Sequence, residues 1–137
     1  MRIPMAVLAD EANVSQEGKL NLMGIFDRLA AAEFPVAHPK LVFAFRVESE
    51  FGDNGRMFPV RVTLEDEDGA VLFEAAGELM APHVPPGEYS TANQLFSLVG
   101  LQFPREGMYR FMVRLGDLPP HETPLFVQAA SASPELN

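Results

Sequence analysis

The sequence predicts an all-β fold, an antiparallel β-sandwich of about seven to nine strands with immunoglobulin-like character. Three observations carry this reading. Runs of alternating apolar and polar residues recur along the chain, the last being Glu106-Gly107-Met108-Tyr109-Arg110-Phe111-Met112-Val113-Arg114-Leu115. The runs are separated by turn chemistry rich in Gly, Asp and Pro, with no sustained helical period and no internal repeat. The length of 137 residues suits one domain able to bury its own core.

The first strand is expected from about Met5 to Val14, and Ser15-Gln16-Glu17-Gly18-Lys19 turns it into a second, from about Leu20 to Leu29. Arg28 to Glu33 has a helical alternative, a single turn through Ala30-Ala31-Ala32. Leu41, Phe43, Phe45 and Val47 then alternate with Val42, Ala44, Arg46 and Glu48 before Gly52-Asp53-Asn54-Gly55 reverses the chain. Phe58, Val60, Val62 and Leu64 repeat the pattern, and Asp66-Glu67-Asp68-Gly69 is a tight turn into Val71, Phe73 and Ala75. Gln94 to Phe103 is expected to point Leu95, Val99, Leu101 and Phe103 to one side. Tyr109, Phe111, Val113 and Leu115 follow, then a short strand from Pro124 to Gln128. The domain spans 1–129, and 130–137 reads as a flexible tail without core-forming pattern.

Composition narrows the classes of function. With no cysteine, disulfides, thiolate metal sites and cysteine nucleophiles are excluded, and a cytoplasmic setting is expected. The opening Met1 to Ala9 is too short for a signal-peptide core or membrane span, so the mature chain is expected to start at Met1 with no membrane partner. A net charge of −9 opposes the counterion release that drives nonspecific nucleic-acid binding. Arg46, Arg61, Arg110 and Arg114 fall on the polar phase of their strands, as a solvated sheet face would have them.

Two resemblances add to this. Gly107-Met108-Tyr109-Arg110-Phe111-Met112-Val113 resembles the penultimate strand of immunoglobulin-like and fibronectin-like sandwiches, which implies that the Tyr109 hydroxyl ties back to the backbone. The paired cysteines and core tryptophan of immunoglobulin domains are missing, so the resemblance bears on architecture alone. The front half carries Ala9-Asp10-Glu11, Gly18-Lys19-Leu20-Asn21-Leu22-Met23-Gly24-Ile25-Phe26-Asp27 and Phe34-Pro35. It resembles a family of small uncharacterised bacterial and phage proteins, a domain of unknown function, which implies no activity or ligand.

Asp10 and Asp27 form a carboxylate pair to test for acid–base chemistry, but strand parity places them on opposite faces. A hairpin registered so that Ala6, Leu8, Ala12 and Val14 share a face with Leu20, Leu22, Gly24 and Phe26 sets Asp10 opposite Gly24, where it has room to accept backbone hydrogen bonds. Glu65-Asp66-Glu67-Asp68 lacks the spacing of a calcium loop and reads as a solvated turn. His38, His83 and His121 each adjoin a proline and are expected in loops, His38 at the opposite end from the others, so neither a metal nor a cofactor is expected. No nucleophile elbow, phosphate-binding glycine loop or metalloprotease helix is present.

In an antiparallel sandwich the connections alternate between ends. The three longest, Glu50 to Arg56, Met80 to Asn93 and Gly116 to Thr123, therefore share one end, where Phe51, Asp53, Asn54, Arg56, His83, Tyr89 and His121 form the candidate binding surface. The expected function is a non-enzymatic binding or structural module for a protein partner or a second copy. A carbohydrate or small-ligand module is the alternative, and a hydrolase built from Asp10, His83 and His121 is the third. Phe126, on an uncharged final strand expected at a sheet edge, is the candidate homodimer contact.

Overall fold

A computed structural model describes residues 1–130 and places nine strands in two stacked sheets. In chain order they are β1 (Arg2–Val14), β2 (Leu20–Phe26), β3 (Arg28–Ala31), β4 (Val36–Glu50), β5 (Met57–Glu65), β6 (Val71–Met80), β7 (Tyr89–Phe103), β8 (Gly107–Leu115) and β9 (His121–Ala129). One sheet has the order β2-β1-β4-β7 and the other β3-β9-β8-β5-β6. The expected tail from 131 onward lies outside the described residues.

Aromatic rings fill the space between the sheets. Phe43 of β4 stacks on Phe111 of β8 with centroids 4.6 Å apart, and Phe103 meets Tyr109 edge-on at 5.0 Å. Phe45 stacks on Phe96 within its own sheet at 6.1 Å. Each such ring taken fully from water contributes about 1.5–3 kcal/mol, so these contacts dominate the packing. Of the residues that alternation places inside, Phe43, Phe45, Val62, Tyr109, Phe111 and Val113 are buried, while Val60 and Phe73 pack at the core margin.

Burial along β4 is not alternating, because β4 is flanked by β1 and β7 throughout its middle. Leu41 to Phe45 are all buried. Ala9, Val42 and Ala44 are buried yet lie outside the core cluster; they are small side chains on the outer sheet face, shaded by their neighbours.

Strand β7 departs from the expected phase. Phe96 and Leu98 pack against the core, whereas Leu95 and Val99 belong to the outer face and Val99 is 78% exposed. Beyond Gly100, Leu101 and Phe103 turn inward instead. The partner strand shifts at the same point, from Leu41 and Phe43 to Val36, and the interruption falls where Pro39 faces Gly100. Gly100 has φ +68, a left-handed conformation that resets which residues face inward.

The expected second strand is two strands. The chain breaks at Asp27, leaving β2 in one sheet and entering the other as β3, so the helical turn over Arg28 to Glu33 is not formed. Tertiary pairing overrides the helix preference of the alanines: Arg28 to Ala31 pair in parallel with Phe126 to Ala129, and the Ala130 N–H donates to the Ala31 carbonyl at 2.8 Å. The sandwich is therefore not wholly antiparallel. β9 is longer than expected and lies inside its sheet between β3 and β8. The edge position inferred for Phe126 is thus occupied by β3, and Phe126 is half-buried with the Arg28 guanidinium 4.8 Å from its ring centre.

The backbone tie expected at Tyr109 is present. Its buried hydroxyl donates to the Arg105 carbonyl at 2.6 Å, holding the β7–β8 turn against the core, and burial raises its pKa. Removing the hydroxyl leaves that tie unmade within a full-sized ring, so Tyr109→Phe is expected to cost about 1–2 kcal/mol. Urea denaturation of the variant, with unchanged slope and a lower midpoint, checks this.

Candidate functional site

The connections β4–β5 and β6–β7 meet at one end, as the alternation of loops requires. Gly55 and Ala81 are linked by a 3.0 Å hydrogen bond, and the Ala81 N–H donates to the Arg56 carbonyl at 3.0 Å. The Asn54 side chain clamps Val84 from both directions, donating to its carbonyl at 2.9 Å and accepting from its N–H at 3.0 Å. The β8–β9 turn joins the same end through the Gly116 N–H on the Pro59 carbonyl, 2.8 Å.

These bonds divide the expected surface into anchors and free groups. Asp53 turns inward: it accepts from the Met1 ammonium at 2.8 Å and from the Glu50 N–H at 3.0 Å, and the hydrogen bond from the chain's ammonium group is the main reason its pKa is lowered. Asn54 is spent on the Val84 clamp, Arg56 lies 4.8 Å over the Phe58 ring, and exposed His83 packs beside Gly55. His121 begins β9 opposite Val113 and His38 lies within β4, 6.2 Å from the Phe26 ring, so neither is a loop residue; longer strands have absorbed both.

Phe51 and Tyr89 remain, and the fold brings them together. Phe51 sits on the single 3-10 turn Phe51–Asp53, and Tyr89 opens β7 directly opposite Glu50. They line a shallow cleft of about 350 Å³ with Glu48, Glu50, Gly52, Gly87 and Glu88, and are 52% and 66% exposed. Glu48 is engaged by Arg2 at 2.7 Å, an interaction that raises the arginine pKa. Among the described residues Glu50 and Glu88 hold no ion pair. The cleft thus offers two exposed rings and two unneutralised carboxylates. Sequence analysis named the rings and missed these carboxylates, whose convergence depends on Glu50 ending β4 where β7 begins.

The remaining candidates are dispersed. Asp10 is exposed and its carboxylate lies against Gly24, where a Cβ would stand on that glycine, and it has no hydrogen-bond partner among the described residues. It lies about 26 Å along β1 from Arg2, at about 3.3 Å per residue, whereas His83 belongs to the end that anchors Met1. Asp10, His83 and His121 therefore do not assemble. In the acidic turn, Asp66 Oδ1 caps the Asp68 and Ala70 N–H groups, each at 2.9 Å, and Arg105 holds Asp68 at 2.8 Å. Glu65 accepts from the Thr63 hydroxyl at 2.6 Å and from Arg114 at 3.1 Å, which lowers its pKa. Arg61 pairs with Glu74 and Arg110 with Glu122, so these arginines face carboxylates across their strands.

A larger depression of about 550 Å³, which sequence analysis did not foresee, lies between Leu29–Pro39, Phe103 and Val127. Its wall is chiefly alanine, proline and backbone, with Glu33 and His38 as its ionisable side chains. It offers volume with little chemistry.

Two stacked sheets of four and five strands define a β-sandwich domain. The chain belongs to DUF6941, a family of unknown function whose model matches residues 4–128. No curated protein matches it. Among solved structures it is similar to part of a beta-glucuronidase from glycoside hydrolase family 2, at 14% identity and a TM-score of 0.45, covering 67% of this chain and 10% of that one. No helix among the described residues is long and apolar enough to cross a membrane.

The Asp53 anchor carries a pH signature. Because its folded pKa lies below the ordinary 3.8, its contribution to stability is complete above that value and is lost as pH falls through the lower folded one. Asp53→Asn is expected to cost about 1–3 kcal/mol near pH 7. The gap should narrow in acid, as urea denaturation at pH 7 and pH 3 would record.

Proposed function

We propose that this chain is a non-enzymatic, cofactor-free binding module that receives a basic segment of a protein partner in the cleft between Phe51 and Tyr89. The observation that carries this reading is the pairing of two exposed rings with the unneutralised Glu50 and Glu88. A lysine or arginine side chain supplies what such a cleft lacks: a cation for the carboxylates and a flat or methylene surface for the rings, worth about 0.5–1 kcal/mol per cation–π contact at an exposed site. The net charge of −9 adds a field that draws a basic segment toward the surface. The dispersal of Asp10, His83 and His121 supports a binding rather than a catalytic role.

Two exposed aromatics on one cleft also favour a carbohydrate ligand, since sugar rings stack on such faces. Salt distinguishes the two. Fluorescence anisotropy with a labelled lysine- and arginine-rich peptide is expected to show binding that weakens as ionic strength rises, and Phe51→Ala with Tyr89→Ala should reduce affinity by about tenfold or more. Equal binding of an acidic peptide, or no effect of the double variant, would overturn the proposal. Salt-insensitive binding of a neutral oligosaccharide would favour the second reading.

A further inference from the structure

We infer that β7 is a self-association strand, pairing antiparallel with β7 of a second copy around a two-fold axis at Ser97. The four edge strands differ sharply. β3 has four residues, and β2 has seven with Gly24 in a left-handed conformation near its end. β6 carries Glu74 and Glu78, the charged residues that natural edges use against unwanted pairing. β7 has fifteen residues, and from Tyr89 to Phe103 none is charged and none is proline. Among the described residues it hydrogen-bonds to β4 alone, so its outer side presents a row of unpaired backbone groups.

The occupant follows from charge and register. A chain of net charge −9 repels its own copies over most of its surface, and Tyr89 to Pro104 is its longest run without a charge. A basic partner would gain nothing there, whereas a second copy meets itself without penalty. Centring the pair on Ser97 sets Leu95 against the partner strand's Val99 on the outer face and Phe96 against its Leu98 on the inner one, so apolar residues meet on both sides. The pairing covers Val99, the most exposed large apolar side chain of the described residues at 78%. With the axis at Ser97 and Gly100 turning the strand, the symmetric pairing runs from Leu95 to Val99.

Sedimentation velocity of the full chain across micromolar concentrations is expected to show a dimer. Val99→Lys, at an exposed position that leaves folding intact, should weaken it by about tenfold or more. Because the chain has no cysteine, Ser97→Cys adds a single thiol that the two-fold places beside its counterpart. Mild oxidation should cross-link that variant, while Thr91→Cys, far from the axis, should stay uncross-linked. A monomer at all concentrations would overturn the inference, as would a dimer indifferent to Val99→Lys or cross-linked through Thr91 rather than Ser97. These readouts use no basic peptide, so their failure leaves the cleft reading untouched.

Discussion

The stack of Phe43 on Phe111 is the contact on which the other parts depend, because it fixes the sheets face to face through an interior strand of each layer. Every other strand must deliver its apolar side chains into the gap those two rings set. A period of two along a strand satisfies this only while the backbone stays regular. Where twist carries a long strand past the core, the chain must change which residues it sends inward. The opposed Pro39 and Gly100 make that change for β4 and β7 together, which lets two fifteen-residue strands stay paired along their length while serving two parts of the core.

The legible parts of the fold were those where alternation is strict and local. Phe58 to Leu64 and Tyr109 to Leu115 read directly as strands, and the Tyr109 tie is the one that the resemblance of its strand to immunoglobulin-like sandwiches implied. Leu95 to Phe103 misled because one left-handed glycine inverts the phase midway, and apolar residues on both faces hide the inversion. Arg28 to Ala31 misled for a different reason: the partner that makes it a strand lies almost a hundred positions away, at Phe126 to Ala129, beyond any local pattern.

The candidate site was legible as a place more than as a set of groups. Loop alternation alone brought three connections to one end, but it could not say which side chains would be consumed in holding them. Asp53, Asn54 and Arg56 read as ligands-in-waiting and serve as fasteners, whereas Glu50 and Glu88 read as strand and loop ends and, among the described residues, hold no ion pair, Glu50 also capping the 3-10 turn. Polar residues in short loops satisfy the backbone before they meet a partner. The charge left over at this end is therefore set by the carboxylates that no cation among the described residues reaches.

The contact of Asp10 with Gly24 has a consequence for how this chain can vary. The aspartate carboxylate occupies the volume where the first carbon of any other side chain at position 24 would stand. The left-handed backbone at that glycine adds a second objection to any replacement. The two positions thus share one volume across β1 and β2: a side chain at position 24 requires the exposed Asp10 carboxylate to swing aside, and it is strained by the left-handed backbone whatever Asp10 does. Changes there are therefore asymmetric: any replacement of Gly24 meets the strained backbone, whereas a smaller residue at 10 meets no such barrier. Position 24 is therefore held to glycine by its backbone first and by the neighbouring carboxylate second, so shortening position 10 alone frees space without freeing the position.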